Sequence, residues 1–205
     1  GSLIMFFSFG IRHSFGLFLQ PVSADMGWGR ETFALAMGVQ NLVWGFSQPF
    51  TGILADRFGA VRIAVIGAIF YAAGVWLMAG VTNELTFILG AGVMIGLGLS
   101  GTTFPVIFGT ISRLVAPEKR SLAMGIAMSL SSFGQFVMLP LSLGLIGWLN
   151  WPMALALLSG LSLLMIPLAF GLKEPPQATP ADNAAPEATA MEALREAFAI
   201  RDFDF

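Results

Sequence analysis

Apolar residues run in six long blocks along this chain, and charged side chains gather between them. The blocks are Leu3–Leu19, Thr32–Leu54, Val61–Val81, Leu85–Ile111, Leu122–Gly147 and Trp151–Leu172. A bilayer core about 30 Å thick needs roughly 20 residues of helix, so each block predicts a membrane-spanning helix. Within the first, Ser8, Arg12 and Gly16 recur at i, i+4 and i+8 and form a small, polar stripe. Gln40, Asn41 and Gln48 interrupt the second block, Thr102 and Thr103 the fourth, and Ser132 and Gln135 the fifth. Gly92, Gly96 and Ser100 make a small-xxx-small ridge suited to close helix packing. After the sixth block, Glu174-Pro175-Pro176 stops the helix, because proline cannot continue it. Gln177–Thr189 reads as a polar Ala/Pro/Glu/Thr linker, and Met191, Leu194 and Phe198 predict a short amphipathic helix.

Two domains are therefore expected: a six-helix transmembrane bundle over residues 1–172, and a cytoplasmic linker with its short helix over 173–205. The chain opens on Gly1-Ser2 without an initiator Met and closes on Arg201-Asp202-Phe203-Asp204-Phe205, which resembles the doorstep of another apolar segment. The expectation is a piece of something longer, with a second half missing.

Composition agrees with the blocks. Hydrophobic residues make up 56% of the 205 and charged residues 11%, where a soluble globular chain carries roughly 25%. Ten basic against twelve acidic residues give a net charge of −2, which argues against both disorder and nucleic-acid binding. With no cysteine, disulfides, thiolate metal sites and cysteine nucleophiles are excluded, and a single histidine argues against a His-rich metal site. No G-x-x-x-x-G-K-[ST] phosphate loop is present. No cofactor, metal or catalytic residue is expected, and any work across the membrane would draw on an ion or solute gradient.

Lys and Arg set the expected orientation. Arg57, Arg62, Arg113, Lys119, Arg120, Lys173, Arg195 and Arg201 fall on one side, and Arg30 alone on the other. Both ends of the chain are expected in the cytoplasm, in an integral multi-pass protein of the bacterial inner (plasma) membrane. Trp28, Trp148 and Trp151 would form an outer interfacial belt.

Leu35-Ala36-Met37-Gly38-Val39 recurs as Leu122-Ala123-Met124-Gly125-Ile126, at the starts of the second and fifth blocks. An offset of three spans makes the copies antiparallel, the pattern of an inverted 3+3 repeat common in secondary transporters. Coincidence in a small Leu/Ala/Met/Gly alphabet is the alternative.

Between the second and third blocks stands Gly52-Ile53-Leu54-Ala55-Asp56-Arg57-Phe58-Gly59-Ala60-Val61-Arg62. It resembles the signature G-x-L-A-D-R/K-x-G-x-R/K-R/K of the major facilitator superfamily, with Val61 where a basic residue is usual. Lys119-Arg120-Ser121-Leu122-Ala123-Met124-Gly125 through Gly134, and Ser14-Phe15-Gly16-Leu17-Phe18, resemble the monocarboxylate-porter and oxalate–formate-antiporter branch. The resemblance covers nearly the whole chain and implies an all-α fold: six helices as an inverted 3+3 repeat, half of a twelve-helix carrier. It also implies a gating loop of Gly52, Asp56, Arg57, Gly59, Arg62 and Arg120, in which Asp56 engages a helix of the other half. Gly52 and Gly59 suit tight turns and close approach. Asp56 and Arg57 would form a compact charged latch; a solvated positive-inside loop is the alternative.

Arg12 stands out inside the first block. An arginine at mid-bilayer costs about 2.5–3.5 kcal/mol on insertion scales, so it should face a cavity or a partner. Asp25, Glu31 and Glu84 lie towards the outer edge, so no internal acid matches its depth. A bound carboxylate would fit the guanidinium fork; snorkelling or pairing with the missing half is the alternative. Related carboxylate carriers place a cation on this first span, and either Arg12 or His13 fits that place. His13, about 100° around the helix, is also a candidate for proton coupling or for a plain interhelical hydrogen bond. Gln40, Asn41, Thr102, Thr103 and Gln135 join Arg12 and His13 as candidate substrate contacts, with interhelical hydrogen bonding as the other reading.

The expected function is a secondary carrier of a small organic anion, a mono- or dicarboxylate, with a coupling proton in play and the bilayer and missing half as partners. One alternative is a carrier of a different solute, such as a drug, sugar or metabolite, and another is a membrane scaffold or receptor. A third is a rhomboid-like intramembrane serine protease, suggested by Gly98-Leu99-Ser100-Gly101. In that family, however, the catalytic His lies on a later span than the Ser.

Overall fold

The computed structural model describes residues 1–172, and every regular element among them is helical. The linker and the amphipathic helix expected over 173–205 lie outside the described residues. Six rods follow one another: α1 (Ser2–Met26), α2 (Arg30–Phe58), α3 (Ala60–Ala79), α4 (Glu84–Leu114), α5 (Pro117–Trp148) and α6 (Trp151–Leu172). Five are long and apolar enough to cross a membrane. At 29 residues α2 has the length but is less apolar, because Gln40, Asn41 and Gln48 occupy its middle.

The rods agree with the six apolar blocks, with three refinements. α1 continues seven residues beyond Leu19: a 3-10 turn at Phe15–Phe18 leads into the stretch Leu19–Met26, where Pro21 falls in the first turn and needs no intrahelical partner. It stops at Gly27, whose φ of +69° is the left-handed conformation that closes helices. α4 is discontinuous. A π-helical stretch at Ile88–Met94 precedes Ile95–Thr102, and Thr103 breaks the helix before Phe104–Leu114. Finally, Gly59 alone joins α2 to α3, at φ +92°, so its lack of a Cβ is a requirement of the turn.

The bundle packs in exchangeable pairs. α1 lies along α5, α2 lies along α4, and α3 is backed by α4 and α6. A three-helix offset carries the α1–α5 pair onto α4–α2, the exchange an inverted 3+3 repeat requires. Glycine makes both crossings close. A Cβ on Gly134 would lie 2.3 Å from the Phe6 carbonyl oxygen, and one on Gly10 would lie 2.6 Å from Met138 Cγ. In the other pair, Gly92 and Gly96 press on Val39 and Val43, as the small-residue ridge predicts.

Large apolar side chains point outward along α2, α3 and α5, among them Phe46, Phe50, Ile69, Trp76 and Phe136. Of the three tryptophans expected in an outer belt, only Trp148 is exposed, at 88%. Trp28 packs on the Phe87 ring, and the buried Trp151 donates its indole N–H to Asp25 at 3.0 Å. That bond ties the end of α1 to the start of α6.

Substituting Gly134→Ala should lower thermal stability by about 1–3 kcal/mol through overpacking, despite alanine's better helix propensity. Gly125, where an added Cβ meets nothing within 4 Å, supplies the control. Equal melting temperatures for Gly134→Ala and Gly125→Ala in detergent would show that the α1–α5 crossing is not close.

Candidate functional site

Arg12 projects from α1 towards α2 and finds three neutral partners there. Its Nε donates to Gln40 Oε1 at 3.0 Å, its Nη2 donates to Asn41 Oδ1 at 2.6 Å, and its guanidinium carbon lies 5.2 Å from the Trp44 ring centroid. Gln40, Asn41 and Trp44 sit within one helical turn, so a single face of α2 meets the cation. Gln40 is fully buried and donates through Nε2 to the Ala91 carbonyl at 2.7 Å. Ala91 belongs to the π-helical stretch, so this one amide links the cation to the irregular part of α4. Among the described residues, Arg12 has no acidic partner.

Trp44 is held from behind. Its indole N–H donates to Thr103 Oγ1 at 3.2 Å, while its ring stacks on Phe104 and meets Phe9 edge to face. A cation within about 6 Å of an indole face gains roughly 0.5–2 kcal/mol, the more so when desolvated. Trp44 is the member of this cluster that the sequence does not single out. Its i+4 spacing from Gln40 was the available signal, but any aromatic in an apolar helix carries the same pattern.

The other expected contacts divide. Thr103 reaches the site through Trp44, whereas Thr102 is turned to the packing core. There Ser8 donates to Thr102 Oγ1 at 2.9 Å, and Tyr71 donates to the Ser8 carbonyl at 2.8 Å. Ser8 and Thr102, both fully buried, are thus interhelical glue. His13 is exposed, and its Nδ1 lies 3.0 Å from the Phe9 carbonyl, separate from the Arg12 cluster. Gln135 is half-buried on α5 next to the Gly134 crossing. Ser100 is buried and bonds to the Leu97 carbonyl of its own helix, and the glycines around it press on α3 at Tyr71 and Gly67. Helix packing accounts for the whole Gly98–Gly101 motif.

At the other end of α2, Asp56 forms an ion pair with Arg113 at the end of α4. Arg57, the other charge of the expected latch, lies over the Phe58 ring at 5.5 Å. Adjacent helical residues diverge by about 100°, so one acid cannot easily face its own neighbour. Arg113 was legible only as a positive loop charge. Arg120 donates through Nε to the Val115 carbonyl at 2.9 Å, bracing the α4–α5 connector, and Arg62 is exposed on the first turn of α3. Gly52 lies inside α2 rather than in a turn; a Cβ there would meet Pro105 at an ordinary 3.7 Å.

The Arg12 cation thus lies among amides and an indole, in a bundle of paired helices most of which are long and apolar enough to cross a membrane. The family model of the Major Facilitator Superfamily matches residues 1–203, and the chain belongs to that superfamily. It is 28% identical over 206 residues to monocarboxylate transporter 11 of Mus musculus, covering 94% of this chain and 44% of that protein. Monocarboxylate transporter 13 of Bos taurus is 30% identical over 160 residues, 77% of this chain and 37% of the relative. The oxalate:formate antiporter of Oxalobacter formigenes is 26% identical over 139 residues, 68% and 32% of the two chains. The chain thus spans less than half the length of the curated relatives it matches, and it falls within the branch that their names describe.

A double-mutant cycle on Asp56→Ala and Arg113→Ala should return about 0.2–1 kcal/mol of coupling in thermal unfolding, as for other solvent-accessible pairs. Strictly additive losses would make the pair incidental to the α2–α4 junction.

Proposed function

We propose that the protein is a secondary carrier that moves a small organic anion, a mono- or dicarboxylate, across the membrane by alternating access. The observation that carries this reading is the state of Arg12, a guanidinium in mid-helix whose partners are two amide oxygens and an indole face. Such a group retains its positive charge and unused N–H donors, and a carboxylate supplies both the charge and the acceptors it lacks. The names of the relatives, which refer to monocarboxylates, oxalate and formate, favour the same substrate class.

In the mechanism, this six-helix half rocks against a second half around a site at the depth of Arg12. The anion enters by electrostatic attraction and is held by the guanidinium, with Trp44 fixing the plane of the fork. Asp56 and Arg113 join α2 to α4 at the cytoplasmic end and bias which gate is closed, together with Gly59, Arg62 and Arg120. His13 is the candidate site for a coupling proton.

Uptake of labelled formate, acetate and oxalate by the full-length protein in proteoliposomes tests the assignment. Charged hydrogen bonds of about 1.5–3 kcal/mol are lost in Arg12→Ala, so KM should rise roughly 10- to 100-fold. Arg12→Lys, which keeps the charge but not the fork, should fall between. Anion uptake that is unchanged in Arg12→Ala would remove the substrate role of this residue.

The basic connectors place both ends of the chain in the cytoplasm in this reading. This chain has no cysteine of its own, so single cysteines introduced into it report its orientation once any cysteine elsewhere in the full-length protein is replaced. In intact cells an impermeant thiol reagent should label Thr82→Cys, and it should reach Lys119→Cys only after permeabilisation. The reverse pattern would invert the topology.

A further inference from the structure

We propose that Asn41 is a placeholder ligand of Arg12, displaced by the transported carboxylate; this rests on the anion-carrier reading above. The donors that Gln40 and Asn41 occupy are Nε and Nη2, the pair that forms the side-on fork of a guanidinium. Two amide oxygens from adjacent residues, at 3.0 and 2.6 Å, therefore stand where the two oxygens of one carboxylate would sit. They satisfy the fork without neutralising it. A carboxylate makes hydrogen bonds roughly twice as strong as a neutral acceptor, so exchange favours the anion.

The two amides differ in how firmly they are held. Gln40 is fully buried and anchored at its other end to the Ala91 carbonyl, so it cannot leave without breaking that buried hydrogen bond. Asn41 is exposed, and its Nδ2 bonds only to the Met37 carbonyl one turn back on its own helix. Gly45, one turn further on, leaves open space beside it: an added Cβ there meets nothing within 4 Å. Asn41 can swing aside while Gln40 and the Trp44 ring hold the guanidinium in place. The empty site is thereby kept from collapsing onto a permanent ion pair, and release of the anion is assisted by return of the amide.

Charge is the discriminating variable. Asn41→Asp installs a tethered carboxylate on the same fork, whereas Asn41→Ala removes the placeholder. For uptake of labelled formate, acetate and oxalate by the full-length protein, Asn41→Asp should raise KM at least about tenfold. The same variant should melt above the parent protein without added anion and gain no further stabilisation from added oxalate, which a merely damaged protein would not do. Asn41→Ala, which removes the competing ligand, should lower KM. An unchanged or raised KM for Asn41→Ala would overturn the proposal, because Asn41 would then not compete with the anion for Arg12. So would normal uptake by Asn41→Asp where Arg12→Ala is inactive. If Asn41→Asp fails to fold, the Asn41→Ala result decides alone. Parent-like uptake by Arg12→Ala would also overturn the proposal, by removing the substrate role of Arg12, whereas absence of anion uptake by the parent protein would instead remove the anion-carrier reading itself.

Discussion

A guanidinium set among apolar helices needs hydrogen-bond acceptors at its own depth, since no bulk water is there to supply them. Much of the described structure follows from how Arg12 meets that need. Its acceptors are neighbouring amides on α2, and their presence makes α2 the least apolar of the six rods. One of these amides must itself be satisfied, and it reaches the Ala91 carbonyl within the π-helical stretch of α4. The indole beneath the cation is steadied by Thr103, where α4 breaks. Three helices are thus committed to one charge, and the irregularities of α4 fall where that charge makes its demands.

Apolar burial cannot drive helices together in a bilayer, because lipid tails are as apolar as leucine. The bundle relies instead on close backbone contact and on short polar bonds. Gly134 against Phe6, and Gly92 and Gly96 against α2, bring helices to distances that any Cβ would obstruct. Ser8, Thr102 and Tyr71 form a small buried network at the meeting of α1, α3 and α4. These contacts hold each pair at a close crossing. The conspicuous outward apolar surfaces on α2, α3 and α5 are left for lipid or for other protein.

The two ends of the bundle are fastened by different chemistry. At the basic end an ion pair joins α2 to α4, and at the other a tryptophan N–H meets Asp25 between α1 and α6. Both fastenings are exposed enough to open and close without stranding a buried charge. The interior site has no such pair, and this is the asymmetry on which an anion-binding role rests.

What the sequence determined by itself was one-dimensional. Runs of apolar residues set the six rods, Gly59 set the tightest turn, and the loop around Asp56 and the scarcity of charge pointed to the superfamily and to Arg12. Helical period also says which residues share a face, so Gln40 and Asn41 were legible as candidates beside an arginine. Which face meets which helix was decided only in three dimensions. Asp56 found Arg113 across 57 residues of sequence, Thr102 turned into the core while Thr103 turned to Trp44, and His13 faced outward. The physical reason is that period fixes direction around one helix axis. The neighbour lying in that direction depends on how six rods cross, and small residues far apart in the chain control those crossings.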